Sequence, residues 1–124
     1  MNEFQETVAA LLSEGHAARF RATGDSMYPT LRDGDALTVL PVHVDDLRRG
    51  DIVLTQDGTR VTAHRIRSLG AAIVTRGDNS DEDDAPLAPS QVLGKVVAAD
   101  RNGELVRLGR GWVAGVRRWV LRQR

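Results

Sequence analysis

The chain has 124 residues, with 17 basic and 17 acidic side chains and a formal net charge of zero. This length suits one domain, which we assign to residues 1–124, and the balanced charge gives no reason to expect a nucleic-acid partner. The absence of cysteine excludes disulfide bonds, thiol catalysis and cysteine-ligated zinc.

The N-terminal part, residues 1–20, is predicted to form a short helix, with its core over 3–13 and Gly15 as a stop. Four apolar residues recur there at helical spacing: Phe4, Val8, Leu11 and Leu12. These residues are too few for a three-helix DNA-binding domain. The sequence has no run of 18 apolar residues and no secretory signal, so we expect a soluble, cytoplasmic protein.

Residues 24–35 are the most distinctive part of the sequence and read Gly-Asp-Ser-Met-Tyr-Pro-Thr-Leu-Arg-Asp-Gly-Asp. Ser26 lies where an extended segment gives way to a turn, which can hold a hydroxyl group rigid and accessible to solvent. Taken alone, a serine in such a turn is more often a cap or turn former than a nucleophile.

The chain from 22 to 108 predicts a mainly β fold. Six short segments are rich in Val, Ile, Leu and Thr and are bounded by turn residues: 36–42, 51–56, 60–67, 71–76, 92–99 and 104–108. The pairs Asp57-Gly58 and Asn102-Gly103 favour hairpin turns, because both tolerate positive φ. We expect a coiled or partly closed sheet with a β core over 22–99 and short helices at the two termini.

An acidic stretch opens the loop 77–90, with five carboxylates between Asp78 and Asp84. It does not follow the calcium-binding EF-hand pattern, because Asp83 stands where glycine is needed and Pro89 where the final glutamate is needed. A solvated loop is the commoner outcome for such a cluster. We therefore expect no metal ion and no cofactor.

The C-terminal residues 109–124 carry five arginines and no acidic side chain. Trp112, Val116, Trp119 and Val120 share one face of a predicted amphipathic helix. Two interpretations stay open for it. The tryptophans can pack on the sheet, or the helix can lie on an anionic membrane surface or a partner protein.

Five sequence boxes, in order across about residues 22–97, resemble those of the signal peptidase I family and of the related LexA-type self-cleaving proteases. They are the nucleophile box 24–31, the Gly-Asp-Ile-Val strand 49–53, the general-base box 63–66, the Gly-Asp-Asn box 75–79 and the Val-Gly-Lys-Val strand 92–96. The resemblance implies a serine endopeptidase.

The residue at the base position separates the branches of this group. Bacterial signal peptidases and LexA-type proteases usually carry lysine there, whereas the endoplasmic-reticulum and archaeal type carries histidine followed by arginine, as His64 and Arg65 do here. By position, the resemblance implies Ser26 as nucleophile, His64 as base and Asp84 as the carboxylate that orients the base. Asp78 is implied as a supporting residue.

The chemistry of these residue types is coherent by itself. A serine hydroxyl is a weak nucleophile that needs a base to accept its proton. An ordinary histidine, with a pKa of about 6.5, is largely neutral near pH 7 and needs only a carboxylate to fix its tautomer and orientation.

The oxyanion-binding and substrate-binding positions are expected at Ser26, Gly24 and Met27. Signal peptidases commonly have Ser or Thr where Gly24 stands, whereas the sequence Gly-Asp-Ser-Met more closely resembles the LexA-type branch. Backbone N–H groups can stabilise an oxyanion without a side-chain hydroxyl.

The expected function is therefore cleavage of a peptide or precursor protein after a small residue, with the substrate bound as an added strand. Two alternatives remain. The chain can cut itself, with Ala9-Ala10 and Ala17-Ala18 as small-residue sites, or it can be a catalytically silent peptide-binding module.

Overall fold

A computed structural model describes residues 3–109 of the chain. One helix, α1 (Glu3–Ser13), precedes seven strands: β1 (Ala18–Arg21), β2 (Ala36–Leu40), β3 (Ile52–Asp57), β4 (Arg60–Ser68), β5 (Val74–Arg76), β6 (Val92–Arg101) and β7 (Glu104–Leu105). Short 3-10 helices occupy Val44–Asp46 and Pro89–Gln91. The predicted mainly β fold with an N-terminal helix is confirmed, whereas the helix predicted over 109–124 lies, apart from Gly109, outside the described residues.

The strands form one open antiparallel sheet in the order β1-β2-β6-β3-β4-β5, with β7 paired to β6. Strands β1 and β5 are the two ends of this order. Strand β4 pairs with β3 along Arg60–Arg65, but β5 pairs with β4 only at Arg65, Ile66 and Ser68. Among the described residues, 60–64 of β4 therefore have a strand neighbour on one side only.

Helix α1 forms as its apolar spacing predicts, and it ends in a hydrogen-bonded cap. Gly15 adopts a φ of 88°, its N–H donates to the Leu12 carbonyl at 3.1 Å, and the His16 N–H donates to the Leu11 carbonyl at 2.8 Å. This pair of bonds is the Schellman cap that glycine favours. No helix in residues 3–109 is long and apolar enough to cross a membrane.

The hydrophobic core has two main parts, because successive residues of a strand point to opposite faces of a sheet. On one face, Val8 and Leu12 of α1 cluster with Leu54 of β3. On the other face, Val53 of β3 clusters with Ile66 of β4. Burial on both faces gives the sheet a firm frame for the loops at its rim.

The predicted strands differ from the observed ones in three places. Strand β1 is not among the predictions, and it exists because Ala18–Arg21 pairs with β2. The predicted strand 71–76 is regular only over Val74–Arg76, and the predicted strand 104–108 only over Glu104–Leu105. Both predicted hairpins form, but the first turn uses Gly58 and Thr59, since Asp57 and Arg60 already pair across the strands.

Candidate active site

Ser26 lies in the loop that connects β1 to β2, and two backbone hydrogen bonds close the neck of that loop. The Ala22 N–H donates to the Asp35 carbonyl, and the Gly34 N–H donates to the Ala22 carbonyl, both at 2.8 Å. Within the loop, the Tyr28 N–H donates to the Asp25 carbonyl at 3.0 Å. The Ser26 hydroxyl is thereby presented on a tight turn at the surface.

Asp35 fixes the end of this loop to the sheet. Its side chain is almost fully buried, and Arg101 of β6 donates to both of its oxygens at 2.9 and 2.8 Å. Burial by itself would raise the pKa of Asp35, but hydrogen bonds from Arg101 and the Arg32 backbone outweigh it and lower the pKa. Asp35 therefore contributes to the fold as a charged group.

His64 extends from β4 toward the Ser26 turn. Its Nε2 atom lies 3.1 Å from Ser26 Oγ, within hydrogen-bond distance. The imidazole is buried, and a strand holds its backbone, so the ring has little freedom to leave this position. Ser26 and His64, which are 38 residues apart in sequence, are thus neighbours.

Asp84 lies at the other ring nitrogen of His64. Its Oδ2 atom is 2.6 Å from His64 Nδ1, and the Thr75 hydroxyl donates to the same oxygen at 2.8 Å. A carboxylate only accepts hydrogen bonds, so Nδ1 carries the proton and Nε2 is left to accept from Ser26. The Asp84 N–H also donates to the Thr75 carbonyl at 2.8 Å, which fixes Asp84 beside β5.

Within residues 3–109, Asp78 forms no hydrogen bond with His64 or Ser26, but it joins three segments of the site. Arg65 donates to both Asp78 oxygens, from Nε at 2.9 Å and from a terminal nitrogen at 2.8 Å, and the Thr30 hydroxyl donates at 2.7 Å. Burial alone would raise the pKa of Asp78, but the bonds from Arg65 and Thr30 and the Arg65 charge lower it. The same pair raises the pKa of Arg65.

The acidic loop, defined as residues 77–84, packs directly on the Ser26 turn. The Asn79 N–H donates to the Ser26 carbonyl at 3.0 Å, and the Asn79 side chain donates to the Asp25 carbonyl at 3.2 Å. A Cβ atom on Gly77 would lie 2.5 Å from the Ser26 carbonyl oxygen and 3.2 Å from His64 Nε2. Only glycine allows the loop to approach this closely.

The residues expected around the oxyanion take different positions. The Gly24 N–H donates to Asp33 Oδ1 at 2.8 Å, so it cannot donate to a substrate at the same time. Within the described part of the chain, the N–H groups of Ser26 and Met27 have no acceptor. These two N–H groups are therefore available to a substrate, whereas Gly24 lines the neighbouring cleft.

The Met27 side chain is buried, and its sulfur accepts a hydrogen bond from the Asp78 N–H at 3.3 Å. The Met27 side chain therefore links the Ser26 turn to the acidic loop on the buried side of the site. Met27 also lines the cleft, so it is placed to meet a bound substrate as well as the protein core.

A cleft of about 420 Å³ opens beside Ser26 and His64. Its walls come from α1, the end of β1, the Ser26 loop and residues 60–64 of β4. Buried Leu37 and Leu54 supply apolar surface inside it. No group of three or more His, Asp or Glu side chains in residues 3–109 is arranged to hold a metal ion.

Four residues that contact the site were not predicted from sequence. Thr75 bonds Asp84, Thr30 and Arg65 bond Asp78, and Asn79 bonds the Ser26 turn. All four lie inside the sequence boxes, but a threonine or arginine there is equally compatible with an ordinary strand or loop position.

A hydroxyl, an imidazole and a carboxylate in hydrogen-bonded series form the arrangement that serine peptidases use. Comparison with known families agrees with this class. The model of the family described as Peptidase S24-like matches residues 3–97, which is more than half of the chain. The chain belongs to this family, whose members are serine peptidases of the LexA and signal peptidase kind. No curated protein matches the chain significantly.

Proposed function

We propose that the protein is a serine endopeptidase in which Ser26 attacks the peptide bond, His64 accepts the serine proton and Asp84 orients His64. The observation that carries this proposal is the unbroken series of contacts, with 3.1 Å from Ser26 Oγ to His64 Nε2 and 2.6 Å from His64 Nδ1 to Asp84 Oδ2. Histidine rather than lysine at the base position supports an assignment to the Ser-His branch of these peptidases.

The reaction follows from the positions of these groups. As Ser26 Oγ bonds to the substrate carbonyl carbon, its proton moves to His64 Nε2, and Asp84 stabilises the resulting imidazolium. His64 then gives that proton to the departing amine, which leaves an acyl ester on Ser26. A water molecule, deprotonated by His64, hydrolyses the ester and frees the enzyme.

The negative oxygen of the tetrahedral intermediate needs hydrogen-bond donors that are in place before the reaction. The N–H groups of Ser26 and Met27 are the donors that the turn offers, since the Gly24 N–H is already bonded to Asp33. Each such donor typically contributes about 100- to 1,000-fold to the rate.

The substrate is proposed to bind as an extended segment beside β4. Within residues 3–109, one edge of segment 60–64 has no paired strand, and this segment ends at His64. A peptide strand added there would bring a peptide bond to Ser26. The apolar surface of Leu37 and Leu54, in the same cleft as Ser26, suits a small apolar side chain before the cleaved bond.

Cleavage of another chain is favoured over self-cleavage. Ala9-Ala10 lies within α1, and Ala18 is buried in β1 and paired with Val39 of β2. A peptidase acts on an extended strand, so either site would first have to leave its folded position.

The test is mass spectrometry of a peptide library, rich in Ala-x-Ala sequences, after incubation with each protein. Wild type is expected to cleave, whereas Ser26→Ala and His64→Ala are expected to show no detectable product. Ser90→Ala makes the same chemical change at an exposed serine outside the cleft and is expected to match wild type. Peptide binding without cleavage by wild type would instead support the silent binding module.

A further inference from the structure

The charged groups of the cleft are all of one sign. Among the described residues that line it, Arg21, Arg32 and Arg60 carry guanidinium groups, and none is aspartate or glutamate. The chain as a whole has equal numbers of acidic and basic side chains. The cleft is therefore a local basic surface beside the nucleophile, on a protein without net charge.

The three guanidinium groups keep donors for a ligand. Arg21 donates one bond to the Gly34 carbonyl at 2.9 Å, and Arg32 lies over the Tyr28 ring at 5.3 Å. Within residues 3–109, none of these arginines forms a salt bridge, and each side chain is exposed. A guanidinium has five N–H donors, so most remain unused.

Three other arginines of the structure differ from those of the cleft because each is paired with a carboxylate. Arg65 pairs with Asp78, Arg76 pairs with Asp83, and Arg101 pairs with Asp35, each at 2.8 Å. Those three arginines form salt bridges inside the protein, whereas Arg21, Arg32 and Arg60 form none within residues 3–109.

The separation between Arg60 and His64 along β4 predicts where on a substrate Arg60 would act. It begins β4 and stands four residues before His64 on the unpaired edge. At a rise of about 3.3 Å per residue, this separation is roughly 13 Å along a strand. A substrate strand beside β4 would place a side chain near Arg60 about four residues from the bond at Ser26.

We propose that the cleft selects peptides with an acidic side chain about four residues from the cleaved bond, held by Arg60 and supported by Arg21 and Arg32. This inference rests on the proposed peptidase function and adds a specificity-determining element to it. Aspartate or glutamate at that distance would form ion pairs with arginines that have no salt-bridge partner among the described residues.

The expected size of the preference is modest, because the arginines are exposed to solvent. A single exposed ion pair changes an equilibrium by up to about 5-fold, so three guanidinium groups predict roughly a 10-fold preference at low salt. The preference is expected to fall as ionic strength rises, since salt screens charges over about 10 Å at 0.1 M.

The experiment compares fluorescent peptides that differ in one residue, Asp, Asn or Lys, four positions before or after the Ala-x-Ala site. Binding is measured to Ser26→Ala protein, and kcat/KM is measured with wild type. We expect the Asp peptide to bind and to be cleaved about 10-fold better than the Asn peptide on one of the two sides, and the Lys peptide worst.

Variants assign that preference to the cleft, each made in both the wild-type and the Ser26→Ala background. Arg60→Gln is expected to reduce it about 3-fold to 5-fold, and Arg60→Glu is expected to reverse it in favour of Lys. Arg19→Gln removes the same charge from an exposed neighbour in β1 that does not line the cleft, and is expected to leave the preference unchanged.

Equal binding of Asp and Asn peptides at both positions would overturn this inference, as would equal effects of Arg60→Gln and Arg19→Gln. A binding preference for Asp without any cleavage by wild type would instead overturn the peptidase function while leaving the acidic specificity in place. The two failures are therefore distinguishable.

Discussion

The acidic loop and the cleft lie on two sides of the same imidazole and are built in opposite ways. In the acidic loop, Asp78 and Asp84 accept hydrogen bonds from neighbouring protein groups at 2.6 to 2.9 Å. Within the described residues, Arg32 and Arg60 of the cleft form no salt bridge, and the neighbouring edge of β4 has no paired strand. One side is complete without a ligand, and the other is left open for one.

This difference matches the two tasks of a peptidase site. Groups that stabilise charge in the transition state act best when they are already fixed, because no reorganisation is then needed during the reaction. Groups that bind a substrate must keep their donors and apolar surfaces available. The site therefore separates orientation of the base from recognition of the peptide.

Gly77→Ala tests the close packing of the acidic loop on the Ser26 turn. The new Cβ would lie 2.5 Å from the Ser26 carbonyl oxygen, so either the loop or the Ser26 turn must move. A displacement near 1 Å in a catalytic site typically costs about 100-fold in rate, which is the loss of kcat that we expect. Gly70→Ala, at a position with open space around its Cβ, is the control and should be close to wild type. Normal kcat in Gly77→Ala would show that close approach of the loop is unnecessary.

Asp78→Asn tests whether the acidic loop is held by its partly buried ion pair. The change leaves the Arg65 guanidinium without its carboxylate partner, and the expected loss is about 2 kcal/mol in the free energy of unfolding. Asp83→Asn breaks the solvent-exposed ion pairs of Asp83 with Arg76 and Arg67 and should cost less than about 1 kcal/mol. Urea denaturation of both variants measures the difference. Equal losses would mean that burial of the Arg65 pair adds no stability.

Acid stability gives the smallest expected effect. The pKa values of Asp35 and Asp78 are lowered from the ordinary value of 3.8. The folded state therefore stabilises the charged form of each carboxylate more than the unfolded state does. Their contribution is fully present above about pH 4 and is lost as the pH falls through the lowered values. Thermal unfolding between pH 5 and 2 should show a falling Tm, with a shallower slope in Asp35→Asn. A slope unchanged by that substitution would contradict the assignment for Asp35.

Much of the fold was predictable because its signals are local. The apolar spacing of α1 and the glycine after it are visible in sequence, and so are the short β-rich segments between turn residues. Strand β1 was not predictable in this way. Its four residues include two arginines, and its strand conformation depends on pairing with β2.

The candidate site was also predictable from sequence only in part. Ser26, His64 and Asp84 could be selected from their sequence boxes, although their distances in space could not. Thr75 was missed because a strand threonine has no distinctive signature. The cleft was missed because its lining gathers residues from Phe4 to His64, and only the folded sheet brings them together.

The most direct test of the central claim compares kcat for Asp84→Asn and Asp83→Asn on one cleaved peptide. These neighbours undergo the same change, but Asp84 contacts His64 Nδ1 at 2.6 Å whereas Asp83 contacts Arg76 at 2.8 Å. Asparagine at 84 would no longer fix the imidazole tautomer, so we predict a loss of about 1,000- to 10,000-fold. Asp83→Asn should stay within about 2-fold of wild type. Equal activity of the two variants would contradict a peptidase in which Asp84 orients the base.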